Sequence, residues 1–142
     1  MIIAGPFIRI SLYALLCLWS VTPSFAAWQS PETVEGTTRT DTFEARQHFD
    51  HGLLFIDVRS EYYYNKRYIP EAHHLDLKKN FTPDKLKKII GQNEPAMIYC
   101  NGVHCSLGYR ASTKAVAWGL TSVLYYRDGF RAWQKASPVA VS

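Results

Sequence analysis

Residues 96–105 read Ala-Met-Ile-Tyr-Cys-Asn-Gly-Val-His-Cys, and the rest of the chain is read outward from them. Ala96 to Tyr99 is a short apolar run, the pattern of a strand covered on both faces of a parallel sheet. It runs straight into Cys100. After a short loop a helix is expected from about Leu107 to Trp118, ended by Gly119. This strand, loop and helix place Cys100 at the carboxyl end of a strand, just before a helix.

The same alternation continues on both sides. Upstream, Leu53 to Val58 is another apolar run bounded by turn signals, and His73 to Leu77 is a further strand candidate. Asp41 followed by Glu44 forms a capping-box pattern for a helix over about Thr42 to Phe49. A short helix passes through Tyr62, Tyr63 and Tyr64, and Pro70 forbids its continuation. Thr82 and Pro83 start a helix that runs to Ile90 and stops at Gly91. Downstream, Ser122 to Tyr126 is a strand. Asp128 and Gly129 then turn the chain into a last helix with Phe130, Trp133 and Gln134. Strands alternating with helices define the α/β class, with a central, mostly parallel sheet and helices on both faces. Ligands of such sheets sit beyond the carboxyl ends of the strands, where Cys100 is expected.

The amino terminus is different in kind. Met1 to Ala26 carries one charged side chain, Arg9, and an apolar run from Ile10 to Val21. Thr22, Pro23, Ser24, Phe25 and Ala26 break that run and end in small residues, as a secretory signal peptide does. Cleavage is expected after Ala26, with Ala27 the alternative. A membrane anchor is the rival reading, but a spanning helix needs about 20 apolar residues; this run is shorter and Pro23 ends it. The expected division is a signal peptide over 1–26, a leader over 27–39 that contributes at most one edge strand, and a folded domain over 40–140. No stable membrane span is expected after cleavage.

Loss of the signal lowers the formal net charge of +4 by one. A mildly basic protein of ordinary composition attracts small anions weakly. The run Lys85, Leu86, Lys87, Lys88 reads as a solvated helix face without interleaved aromatics, so no nucleic-acid partner is expected. Cleavage also removes Cys17, leaving Cys100 and Cys105. Export places these two in an oxidising compartment, where nearby thiols tend to pair. They are either two thiols or a disulfide closing a small loop. Cys-x4-Cys is not a usual zinc spacing and two more ligands are not evident, so neither a metal nor a cofactor is expected.

Cys100 is placed to be reactive. The thiolate is the nucleophilic form, and a helix amino terminus favours it through free amides and the helix dipole. The loop Asn101, Gly102, Val103, His104, Cys105 has amides that can curl around a sulfur anion. Gly102 adopts backbone angles other residues avoid, and His104 adds a donor. The plain alternative is that Cys100 is a small buried hydrophobe.

Asp57, Val58 and Arg59, then Tyr64, then Ile69, Pro70 and Ala72 resemble the rhodanese signature D-V-R…E-Y…G-H-I-P-G-A. Ile98, Tyr99 and Cys100 resemble that family's strand leading to its catalytic cysteine. Gly119, Val123, Tyr125, Gly129 and Trp133 are similar to its closing motif. The likeness runs from about Thr40 to Ala136. The loop is similar to an exported branch carrying C-N-G-P-x-C, and more loosely to the two-cysteine rhodanese-like proteins of quinoprotein (PQQ) alcohol catabolism; these point to the periplasm of a Gram-negative bacterium. The resemblance implies a sulfurtransferase. Cys100 would take sulfane sulfur from a donor such as thiosulfate, hold it as a persulfide, and pass it to a thiol or cyanide acceptor. Asn101, Gly102, Val103, His104, Cys105 and Arg110 would form the substrate pocket, with Asp57 and Arg59 in support through a salt bridge and hydrogen bonds. A small sulfur donor, a thiol acceptor and another periplasmic redox protein are the implied partners.

The departures from the family are specific. Cys105 and Leu107 stand where relatives carry a loop arginine, Tyr68 replaces a histidine, and Glu71 replaces a glycine, which suggests a different turn after Pro70. Arg110 lies five residues after Cys105, which keeps Cys105 as a second nucleophile candidate. Two other readings stay open: a thiol-disulfide protein cycling Cys100 and Cys105, and a rhodanese-like binding module with a structural disulfide. A Cys-x5-Arg phosphatase is disfavoured, because residue 106 is Ser.

Overall fold

The computed structural model describes residues 24–91 and 93–136. The signal-peptide reading therefore falls almost wholly outside the described residues. Five strands form one sheet: β1 (Thr38–Thr40), β2 (Leu54–Asp57), β3 (His73–His74), β4 (Ala96–Tyr99) and β5 (Val123–Tyr126). Their order is β1-β5-β4-β2-β3 and every pairing is parallel. The helices between them are α1 (Thr42–Asp50), α2 (Glu61–Lys66), α3 (Pro83–Ile90), α4 (Leu107–Ala117) and α5 (Gly129–Ala136).

Strand periodicity sorts the core into two layers. Ile56, Val58, Ala96, Ile98 and Cys100 pack with Leu86 and Ile90 of α3 and with Ala111 and Ala115 of α4. Phe55, Met97, Tyr99 and Tyr126 point the other way, onto Ala45 of α1 and Phe130 and Trp133 of α5. Cys100 thus continues the alternation of β4 into the α3–α4 layer. Trp133 is fully buried, with the Arg46 guanidinium 3.6 Å from its ring centroid.

The expected elements appear with small differences at their ends. Asp41 makes the capping box with Glu44 (2.8 and 2.9 Å), and the Thr82 side chain caps α3. The strand expected over His73 to Leu77 pairs as a ladder only at His73 and His74. Beyond it, Asp76 reorganises the chain. Its side chain accepts from the Lys78 amide (2.8 Å), and its carbonyl accepts from the amides of Lys79, Asn80 and Phe81. The turn after Pro70 is also informative. Glu71 stands at φ +63°, the left-handed conformation glycine takes readily. The replacement of glycine has therefore not abolished a glycine-type turn; the chain makes one with a glutamate.

Strands β2 and β4 are neighbours, but the chain leaves β2 toward β3 and leaves β4 toward β5. Their carboxyl ends form the switch point of the sheet, where a crevice opens between diverging connections. Among the described residues no helix is long and apolar enough to cross a membrane.

Candidate functional site

Cys100 follows β4 directly and is 3% exposed. It is joined to Cys105 by a disulfide, with Cα atoms 6.4 Å apart, inside the range such bridges span. First-turn packing of α4 brings that helix close: a Cβ on Gly108 would stand 3.4 Å from the Cys100 Cβ. Ser106 precedes α4 without capping it through its side chain, and its first turn carries no acid. The first turn of α4 thus supplies no carboxylate of its own to offset the positive end of its dipole.

The loop is held at both ends. The carbonyls of Cys100 and Asn101 accept from the amides of Phe130 (2.8 Å) and Arg131 (3.0 Å) in α5. This approach requires Gly129, which sits at φ +63°. A Cβ there would collide with the Cys100 carbonyl and stand 2.8 Å from the Gly102 nitrogen. Within the loop the Cys105 amide donates to the Gly102 carbonyl (2.9 Å). Among the described residues no protein acceptor takes the amides of Gly102, Val103 or His104.

Below the loop lies a buried polar anchor. Asp57 and Arg59 are 0% and 2% exposed. The Arg59 guanidinium donates to both Asp57 carboxylate oxygens (2.6–3.0 Å), to the Arg67 carbonyl (2.7 Å) and to Asn101 Oδ1 (3.3 Å). The Tyr99 hydroxyl donates to Asp57 Oδ2 (2.8 Å). Burial, and then the neighbouring Asp57 carboxylate, push the Tyr99 phenol well above its usual range, so it remains a donor. Arg59 also lies 4.2 Å from the Phe130 ring centroid. Asp57 and Arg59 therefore tie the end of β2 to the first loop residue after Cys100.

A cavity of about 610 Å³ opens over the loop. Asn101, Gly102, Val103, His104, Cys105 and Arg110 line it, as do Lys78, Asp128 and Arg131. Every expected pocket residue is thus brought together. Cys100 does not line the cavity; Cys105, bonded to it, does. In the bridged state Cys105, and not Cys100, is the cysteine that borders the open space. Three cationic side chains, Lys78, Arg110 and Arg131, face the cavity with one carboxylate, Asp128. That balance favours anions.

Two contributions were not visible in the sequence. Lys78 and Arg131 belong to a turn and a helix far from Cys100 in the chain, with no local motif to mark them. The other is the leader, which straps the loop from outside. Both the amide and the hydroxyl of Ser30 donate to the Val103 carbonyl (2.7 and 3.0 Å), and His104 Nδ1–H donates to the Trp28 carbonyl (2.8 Å). Arg127 fixes the strap through the Ser30 carbonyl (2.8 and 3.0 Å).

A parallel five-stranded sheet with the loop from Cys100 to Cys105 after its central strand agrees with comparisons to known proteins. The family model of the rhodanese-like domain matches residues 41–136. The chain belongs to the rhodanese-like domain family. Among solved structures, this rhodanese-like chain is similar to the human single-domain sulfurtransferase TSTD1 (18% identity, TM-score 0.60, 70% of this chain and 96% of that one). It is also similar to the BH2092 protein of Bacillus halodurans (22%, 0.62, 70% and 73%) and to a rhodanese-like domain protein of Staphylococcus aureus (24%, 0.55, 68% and 91%). At these identities the likeness is one of fold. No curated protein sequence matches the chain.

Proposed function

We propose that this rhodanese-like domain transfers sulfane sulfur through a persulfide on Cys100, and that it does so in the periplasm after export. One observation carries the reading: Cys100 sits at the carboxyl end of the central strand, beneath a net cationic cavity and a loop with unclaimed amides. In the reduced protein the Cys100 thiolate attacks the outer sulfur of thiosulfate. The S–S bond of the donor breaks and sulfite leaves with the electron pair. The persulfide so formed is an anion, which the loop amides and the dipole of α4 stabilise. A thiol or cyanide acceptor then attacks the outer sulfur and regenerates the Cys100 thiolate. Arg110, Lys78 and Arg131 hold the dianionic donor. Arg59 and Asp57 act as positioning residues through Asn101.

Two half-reactions through a covalent intermediate predict ping-pong kinetics. Initial rates of thiocyanate formation from thiosulfate and cyanide, with the protein reduced, are expected to give parallel double-reciprocal lines. Cys100→Ser is expected to fall to background. Intersecting lines, or activity retained without Cys100, would contradict the proposal.

The bridge itself favours a second reading, a thiol-disulfide protein in which Cys100 and Cys105 cycle without carrying sulfur. That reading predicts no thiocyanate from the reduced protein and rapid exchange with a dithiol.

A further inference from the structure

The sulfur-carrier reading uses Cys100 and leaves Cys105 without a task. Three observations give it one. Cys105 is already within bonding distance of Cys100. It is the cysteine that lines the cavity, so it meets whatever group Cys100 acquires. It also immediately precedes Ser106, the uncapped start of α4, where a thiolate is favoured. We propose that Cys105 is a resolving thiol. It attacks the inner sulfur of the Cys100 persulfide, expels the outer sulfur as hydrosulfide, and leaves the Cys100–Cys105 bridge.

The proposal rests on the sulfur-carrier reading, and its steps balance. In the first, the Cys100 thiolate and thiosulfate give the Cys100 persulfide anion and sulfite. In the second, the Cys105 thiol gives up its proton and its sulfur bonds to the Cys100 sulfur. The bond from that sulfur to the outer sulfur breaks, and the outer sulfur leaves with the electron pair and the proton as hydrosulfide. The two thiols are oxidised to a disulfide, and the sulfane sulfur is reduced by two electrons. Each further turnover needs a dithiol reductant, which opens the bridge by exchange and is itself oxidised to a disulfide. The bridge seen here is then the spent state. Its formation also covers Cys100, so the domain does not charge again until reduced. By this route the products are sulfite and sulfide; cyanide or a monothiol, where present, competes with Cys105 for the persulfide, takes its outer sulfur and returns Cys100 as the thiolate.

The test is a single turnover. The mature protein and its Cys105→Ser variant are reduced, freed of reductant under argon, and mixed with thiosulfate. Intact mass and trapped sulfide are read together. Wild type is expected to lose ~2 Da as the bridge forms and to release about one equivalent of sulfide per protein. Cys105→Ser is expected to gain ~32 Da and release none. If both proteins keep the added sulfur, or both release sulfide equally, Cys105 is not a resolving thiol while the sulfur-carrier reading stands. If neither gains sulfur nor releases sulfide, the sulfur-carrier reading fails and the inference with it. A wild-type control without thiosulfate must stay reduced over the same interval; bridge formation there without sulfide overturns the inference.

Discussion

Arg59 carries more of the site than any other side chain outside the loop. Four kinds of partner converge on it: the Asp57 carboxylate, the Arg67 carbonyl, Asn101 and the Phe130 ring. Arg59→Ala leaves Asp57 buried without its cation, a change that costs about 3–5 kcal/mol. Urea unfolding is expected to show that loss, and a shift under 1 kcal/mol would mean the pair is idle. Glu71 makes the opposite case. Its φ of +63° costs a non-glycine residue about 1–2 kcal/mol, against about 0.5–1 kcal/mol for the greater freedom glycine loses on folding. Glu71→Gly is therefore expected to raise stability by up to about 1 kcal/mol in the same measurement; destabilisation would show that the glutamate side chain is needed where it stands.

At the scale of elements, the strap over 28–30 and the loop over 100–105 act as one unit. Ser30 spends two donors on a single carbonyl, that of Val103. Ser30→Ala removes one of them, worth about 1 kcal/mol, and loosens the rim beside Cys105. Reduction of the bridge by dithiothreitol is expected to quicken several-fold while global stability falls by no more than about 1 kcal/mol; an unchanged rate would mean the strap does not guard the loop. The helices and strands were legible in the sequence because local signals coincide: Asp41 with Glu44, Thr82 with Pro83, and the unbroken apolar runs of β2 and β4. The strap was not, because Ser30 and Val103 are 73 residues apart and nothing near Ser30 records its partner. The end of β3 was missed for a related reason. Leu75 and Leu77 continue a strand-like pattern, but Asp76 gathers four amides into a turn.

For the whole molecule, the sheet gives the site rigidity, and the short bridge is the switch of the proposed sulfur carrier. A disulfide across a sequence separation of 5 contributes only about 2 kcal/mol by loop-closure entropy, so the reduced protein, the state in which sulfur transfer is proposed, is expected to keep the same fold. Alkali tests the core differently. Burial pushes the Tyr126 phenol up to about 12, against a hydrogen bond to Thr42 that lowers it. Because the folded value exceeds the unfolded one near 10, stability is intact below about pH 10 and falls as pH rises toward 12, by about 2–3 kcal/mol for this residue. Tyr126→Phe is expected to flatten that limb in part, since Tyr64, Tyr99 and Tyr125 are raised as well. An unaltered alkaline limb would show that Tyr126 ionises freely in the fold.

The central claim is that Cys100 carries the sulfur. Intact mass of reduced Cys105→Ser and Cys100→Ser, each treated with thiosulfate, tests it with the second thiol out of the way. The account predicts a gain of ~32 Da on Cys105→Ser, reversed by cyanide, and none on Cys100→Ser. A gain on Cys100→Ser alone would move the nucleophile to Cys105, and no gain on either protein would contradict sulfur transfer by this domain.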